Sequence, residues 1–291
     1  MSKKIVALII LLPLLLPTKL TSHGEAVSIT KNLQMLVVRD GPVNNLMRLA
    51  ENTGYKIPGD KSTDRYIQNA DAYGLAMRYL GQPPQEGLYL KVNLPSKAYK
   101  AGLRSGDILS NVRFKPNCKF SQKNILQDWF NTYACESLVT VNRGNKFLSL
   151  RLPAGSTLGA SGNRVLTNYA PLTLKVTNQD TGLSGGLVLS LYYLDKETKG
   201  SLFSKDKVAG SGMINPVTLE FSAISELSKK YNAAVESKST ILLLADDQPL
   251  AEISSIKPES SLTIKKIKNL AQAVKILCNR GADDYLCTKK S

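Results

Sequence analysis

At 291 residues the chain is long enough for about two domains, and 43% hydrophobic with 21% charged residues is the make-up of a packed globular protein, not a disordered one. The net charge of +15 comes from lysine and arginine spread over the whole length. With little aromatic interleaving, that spread argues against a nucleic-acid site and for a solvated surface, with association at an anionic membrane surface or an envelope polymer as the milder alternative.

In chain order, Lys3 and Lys4 precede the apolar run Ile5–Pro17, and Gly24-Glu25-Ala26 supplies the small residues of a cleavage site. The run is shorter than the roughly 20 residues that span a bilayer. Residues 1–26 are therefore expected to be an export signal, with an uncleaved anchor as the rival. In residues 27–63, Val43, Leu46, Leu49 and Ala50 form a short helical pattern after Pro42, without legible chemistry. A helix is expected over Ser62–Leu80, stopped by Gly81 and Pro83-Pro84.

From Gly87 the pattern changes to strands. Leu88–Val92 is followed by the turn Leu94-Pro95-Ser96, then by Ala98–Leu109. Ala154–Gly162, rich in glycine and serine, reads as a linker. The strand Leu172–Val176 then leads to the turn Gly182-Leu183-Ser184-Gly185-Gly186 and an apolar helix at Leu187–Leu194. Further on come a strand at Val208–Ile214, a helix at Ala223–Val235, strands at Thr240–Leu244 and Leu262–Ile264, and a helix carrying Leu270, Ala273, Val274 and Leu277.

Four cysteines permit three pairings; the local pairs Cys118–Cys135 and Cys278–Cys287 each stay within one expected domain. A closed loop of about 15 residues is worth roughly 3 kcal/mol, and the exported setting suits disulfides. No Cys-x-x-Cys occurs, so no metal site is expected, and no cofactor is implied. The absence of a Gly-x-x-x-x-Gly-Lys-Ser/Thr loop excludes a P-loop ATPase motor.

The chemistry centres on Ser184. The chain has one histidine, His23, and removal of a leader ending at Ala26 would leave no imidazole. A nucleophilic serine would then need another base, and lysine is the usual substitute. At about 100° per residue, Ile224, Leu227, Tyr231 and Ala234 share one side of their helix; Lys230 lies roughly 80° from its centre and Lys229 roughly opposite. Only Lys230 is placed to enter a buried site, the bland alternative being a flank lysine that snorkels to water. To act as a base near neutral pH, a lysine must fall from about 10.4 to near 7, a change that desolvation can supply.

Two resemblances add to this. Ala101-Gly102-Leu103 with Gly106-Asp107-Ile108-Leu109 resembles the core of a PDZ domain of the bacterial protease-associated kind, over about 87–153; the resemblance implies a groove-lining helix at Gln127–Tyr133 and closing strands at Leu138–Val141 and Phe147–Leu152, turned at Arg143-Gly144-Asn145. The ordered set from Arg164 to Leu277 resembles the proteolytic domain of Lon-type serine endopeptidases. Together they are similar to the exported bacterial PDZ–Lon family. The resemblance implies a mixed α+β, α/β chain: a PDZ-like β-barrel domain with a leading helix (64–153), a linker (154–163), a Lon-type α/β domain (164–279) and a tail (280–291). It places the nucleophile on Ser184, the base on Lys230, a supporting hydroxyl on Ser211 where the family usually has threonine, and the oxyanion turn on Gly182, Gly185 and Gly186. It makes Glu86-Gly87-Leu88-Tyr89 the loop that faces a peptide terminus.

The implied protein is an ATP-independent serine endopeptidase of the periplasm or cell envelope. Its partners would be unfolded proteins or peptides, with peptide C-termini at the PDZ groove, and homo-oligomers occur among such domains. The bland alternative for the PDZ-like region is a structural spacer. Two departures stand out: Leu183 replaces the family's proline, and Ser225-Glu226 replaces a glycine pair on the substrate side. They leave open a catalytically inactive adaptor that binds peptides.

Overall fold

Two five-stranded sheets, one purely antiparallel and one mixed, are separate in space but interleaved in sequence. The computed structural model describes residues 23–39, 62–82, 86–115, 135–144, 146–154, 159–167, 183–198, 200, 202–203, 206–254, 261–282 and 285–288. The helices expected at 43–54 and 127–133 and the strand at 172–176 lie outside them.

The antiparallel sheet uses β3 (Gly87–Val92), β4 (Ile108–Phe114), β5 (Ser137–Arg143), β6 (Lys146–Leu152) and β7 (Ala160–Val165), in the order β6-β5-β4-β3-β7. Their inward residues, among them Leu88, Leu90, Leu109, Val139 and Val141, close a core with Ala98 of a one-turn helix at Lys97–Lys100 and with Leu103. The Gly-Leu-x-x-Gly-Asp signature has a physical reason. Asp107 is fully buried and accepts from the Arg104 N–H at 2.9 Å and from Arg143 at 2.6 and 2.8 Å. Gly102 and Gly106 take φ values of 101° and 94°, a region that suits glycine. The motif thus ties the β3–β4 connection to the β5–β6 turn.

The mixed sheet has the order β1-β2-β8-β11-β12, from β1 (His23–Thr30), β2 (Leu33–Arg39), β8 (Val208–Ser211), β11 (Ile241–Ala245) and β12 (Thr263–Ile267). β1 and β2 form an antiparallel hairpin, and β2, β8, β11 and β12 run parallel. Both faces are covered, as parallel strands require. Leu33, Met35, Ile241 and Leu243 pack on one side, under α1 (Ser62–Tyr79), α3 (Gly186–Thr198) and α6 (Leu270–Asn279). Leu36, Ala209, Leu242 and Leu244 pack on the other, against Leu227, Tyr231 and Ala234 of α4 (Leu227–Glu236). The one-turn helix at Lys97–Lys100 is α2, and α5 (Ala251–Ser254) and α7 (Tyr285–Thr288) are equally short. Among the described residues no helix is long and apolar enough to cross a membrane.

Described elements run across or into four of the expected divisions. The leader boundary at Ala26 falls inside β1, where Ala26 packs beside the α4 core. The segment 27–63 contributes β2, which sits between β1 and β8. The linker 154–163 contains the first part of β7, which pairs residue for residue with β3. The tail 280–291 is tied down: Leu286 is buried in the main core, Cys287 is disulfide-bonded to Cys278, and Arg280 makes a bidentate pair with Asp206 at 2.7 Å. Cys135 is also disulfide-bonded, its expected partner Cys118 lying outside the described residues.

Helix α1 leads the antiparallel sheet in sequence, but its Ala72, Leu75, Ala76 and Met77 belong to the main core. It also touches the other unit, because Ala70 packs with Tyr89, Ile108 and Val165. The Leu166 N–H donates to Asp71 Oδ1 at 2.8 Å, and a Cβ on Gly74 would stand 2.6 Å from the Leu166 Cβ and 2.9 Å from its carbonyl carbon. Burial pushes the Asp71 carboxyl up to about 7, although the Leu166 N–H works against it. Nearby, Glu86 takes Arg78 of α1 at 2.7 Å and Arg164 of β7 at 2.6 Å. The antiparallel sheet is therefore an insertion between α1 and the rest of the mixed-sheet unit, and α1 is the joint.

Candidate active site

Open parallel sheets present their connecting loops at the carboxyl ends of the strands, where ligands bind. Here the end of β8 meets the turn Leu183–Gly185, and Gln248, just past the end of β11, bonds to Ile224 ahead of α4. Ser184 lies in that turn, a single 3₁₀ turn running directly into α3. Its carbonyl accepts from the Gly212 N–H at 2.8 Å and from Ser211 Oγ at 3.1 Å, and the Leu187 N–H returns to the Gly212 carbonyl at 3.1 Å. Close packing explains the glycines: a Cβ on Gly185 would overlap the Met35 sulfur, and one on Gly186 would stand 2.8 Å from Ile214 Cγ1. Gly182 lies outside the described residues.

Ser211 is fully buried. Strand alternation puts it on the face of Ala209, the face that α4 covers. On α4, Leu227, Tyr231 and Ala234 fill that face, and Lys230 is only 4% exposed. Lys229 points elsewhere, with its side chain 33% exposed and ion-paired to Glu226. The helix period thus sorts the two lysines as the sequence suggests, one inward and one outward. Glu226, just before the helix, has φ 59° and ψ 40°, a left-handed conformation that favours glycine. The chain keeps this backbone shape with a glutamate in place.

Two sequence expectations change. His23 is the first residue of β1, in register with Arg39, so the chain's one histidine stands within a strand of the fold and not ahead of it. Gly87, Leu88 and Tyr89 do not form a peptide-facing loop. They lie in β3, buried, with β7 on one side and β4 on the other of Leu88 and Tyr89, so no backbone edge is left there for a peptide to join.

Two glutamines near the site were not legible as functional residues. Gln68, 2% exposed, has its Oε1 3.7 Å from where a Gly185 Cβ would stand. Its signal is a polar residue on the apolar stripe of Ala72, Leu75 and Ala76. Gln248 follows β11 and is 1% exposed; only its position past a strand's carboxyl end could have marked it. Among the described residues no cluster of histidine, cysteine and carboxylate side chains could hold a metal ion. No protein-family model matches the chain, and no curated protein matches it at a significant level.

Proposed function

We propose that the chain is an ATP-independent serine endopeptidase in which Lys230 is the base for Ser184. One observation carries the reading: the Ser184 turn is held by Ser211 and Gly212 at the end of β8, while α4 buries Lys230 on the sheet face to which Ser211 belongs. Burial disfavours the ammonium form of a lysine and so favours the neutral amine that a base must be. Neutral Lys230 takes the Ser184 proton as the oxygen attacks a peptide carbonyl, then delivers it to the leaving amine; water resolves the acyl-enzyme. The Leu187 N–H is engaged with Gly212, so the oxyanion is assigned to the N–H groups of the preceding Gly182–Gly186 turn.

The inserted antiparallel unit, read as PDZ-like, recruits unfolded chains or peptide ends, and the substrates are read as flexible because the sequence holds no Gly-x-x-x-x-Gly-Lys-Ser/Thr loop to drive unfolding. Strand addition is assigned to the edge strands β6 and β7, since β3 is interior. The unit as a whole is read as an exported envelope protein related to the PDZ–Lon type.

Unfolded casein tests the activity. Turnover by the intact protein, abolished by Ser184→Ala and by Lys230→Ala in variants that remain folded, is the expected result. Full turnover by Lys230→Ala removes the dyad. Glu226 favours a second reading, a silent peptide-binding adaptor, because a bulky side chain occupies a left-handed site where glycine would leave room for substrate. Peptide binding without turnover would select it.

A further inference from the structure

Gln248 lies in the turn that follows β11, with its own N–H bonded to the Ala245 carbonyl at 3.1 Å. Its side-chain amide makes two bonds to a single residue, Ile224. Oε1 accepts the Ile224 N–H at 2.7 Å, and Nε2 donates to the Ile224 carbonyl at 3.1 Å. At 1% exposure, a glutamine is costly to bury unless both ends of its amide are satisfied; Ile224 satisfies both, as a neighbouring strand would. The clamped residue belongs to the short segment between β10 (Phe221–Ser222) and α4. That segment passes through the left-handed Glu226 and becomes the helix whose buried lysine is Lys230. Upstream, the Phe221 N–H is held by the Lys268 carbonyl.

We propose that Gln248 is a positioning residue: its amide fixes the backbone entering α4 and so sets where Lys230 stands relative to the Ser184 turn. This inference rests on the reading of Lys230 as the base. The strained Glu226 hinge explains why a clamp is needed there. A non-glycine residue in the left-handed region gains by relaxing, and relaxation would move the first turn of α4, where the lysine is carried. Gln248 touches Ile224 and acts through α4, with no part in proton transfer.

The test compares the full-length protein with Gln248→Met, similar in length but without donor or acceptor, and with Gln248→Asn, which keeps both groups one methylene short. Two readouts are taken: hydrogen exchange at the Ile224 amide, and the pH profile of peptide turnover. In Gln248→Met the Ile224 amide should exchange about tenfold faster or more. kcat should fall about tenfold or more with KM within about twofold, and the rising limb of the profile should move to higher pH as water reaches the amine. Gln248→Asn should recover part of each change. A residue needed only for folding would lower the active fraction and leave the limb in place. Unchanged Ile224 exchange overturns the clamp, and faster exchange with unchanged kinetics overturns the positioning role. If the intact protein turns over no peptide, the base assignment fails and the positioning role falls with it; loss of Ile224 protection in Gln248→Met would then keep the clamp alone.

Discussion

The two sheets differ in how far apart in sequence their partners lie. In the antiparallel sheet, β4, β5 and β6 pair in chain order, and a tight turn at Gly144 joins the last two. In the mixed sheet, Leu33 and Met35 sit in register with Val208 and Gly210, across the whole length of the inserted unit. Antiparallel neighbours can be joined by hairpins whose turns write themselves into the sequence, whereas parallel neighbours need long crossovers that leave no local mark. The candidate catalytic residues all lie in the unit built from distant pieces, so its geometry depends on strands that precede the insertion.

The largest effect should come from separating the two cores. Leu33→Ala and Leu109→Ala each remove a fully buried side chain and should cost about 2–5 kcal/mol. In urea unfolding followed by residue-resolved spectra, Leu33→Ala should lower the midpoint of the mixed-sheet signals, and Leu109→Ala that of the antiparallel sheet. Equal shifts of both sets in both variants would show that the insertion and its host unfold as one.

Next comes the joint. The Asp71 carboxyl titrates near 3.8 when unfolded and at about 7 in the fold. Between those values the folded state binds the extra proton, so this group's contribution is present at low pH and is lost as pH rises through about 7. Asp71→Asn keeps an acceptor for the Leu166 N–H and removes the titration. Relative to that variant, the intact protein should lose on the order of a few kcal/mol from about pH 4 to about pH 7, read as the difference in Tm across pH. Parallel profiles would show that Asp71 is not buried at the joint.

Gly74→Ala should have a smaller effect. Its Cβ would meet the Leu166 backbone at 2.9 Å, which cannot rotate away, and such overpacking costs about 1–3 kcal/mol. Faster amide exchange at Leu166 would locate the damage at the joint; unchanged exchange would place α1 elsewhere.

The same contrast governs what the sequence reveals. The buried Asp107 and the glycines around it were visible as a motif because the bonds that need them are local or close to a turn. The inward direction of Lys230 followed from helix period alone, since Leu227, Tyr231 and Ala234 define the buried side. That residues 23–39 belong to the mixed sheet was not legible: β1 and β2 make a local hairpin, but the hairpin joins the rest of the sheet only through β8, about 170 positions later. Helix α1 was visible as a helix, but its allegiance to the main core was not, because apolar spacing names a buried face and not the partner that buries it. Gln248 gave no signal beyond its place after a strand, as its proposed role rests on two bonds to one distant residue, Ile224.

The proposed pairing of Ser184 with Lys230 is tested most directly by covalent trapping. A fluorophosphonate probe forms a stable bond only with a serine whose proton is taken by a base, and peptide mass spectrometry identifies the labelled residue. A single adduct on Ser184 in the intact protein, lost in a folded Lys230→Ala variant, is the expected result. Equal labelling of Ser184 in that variant, or an adduct confined to another serine, would contradict it.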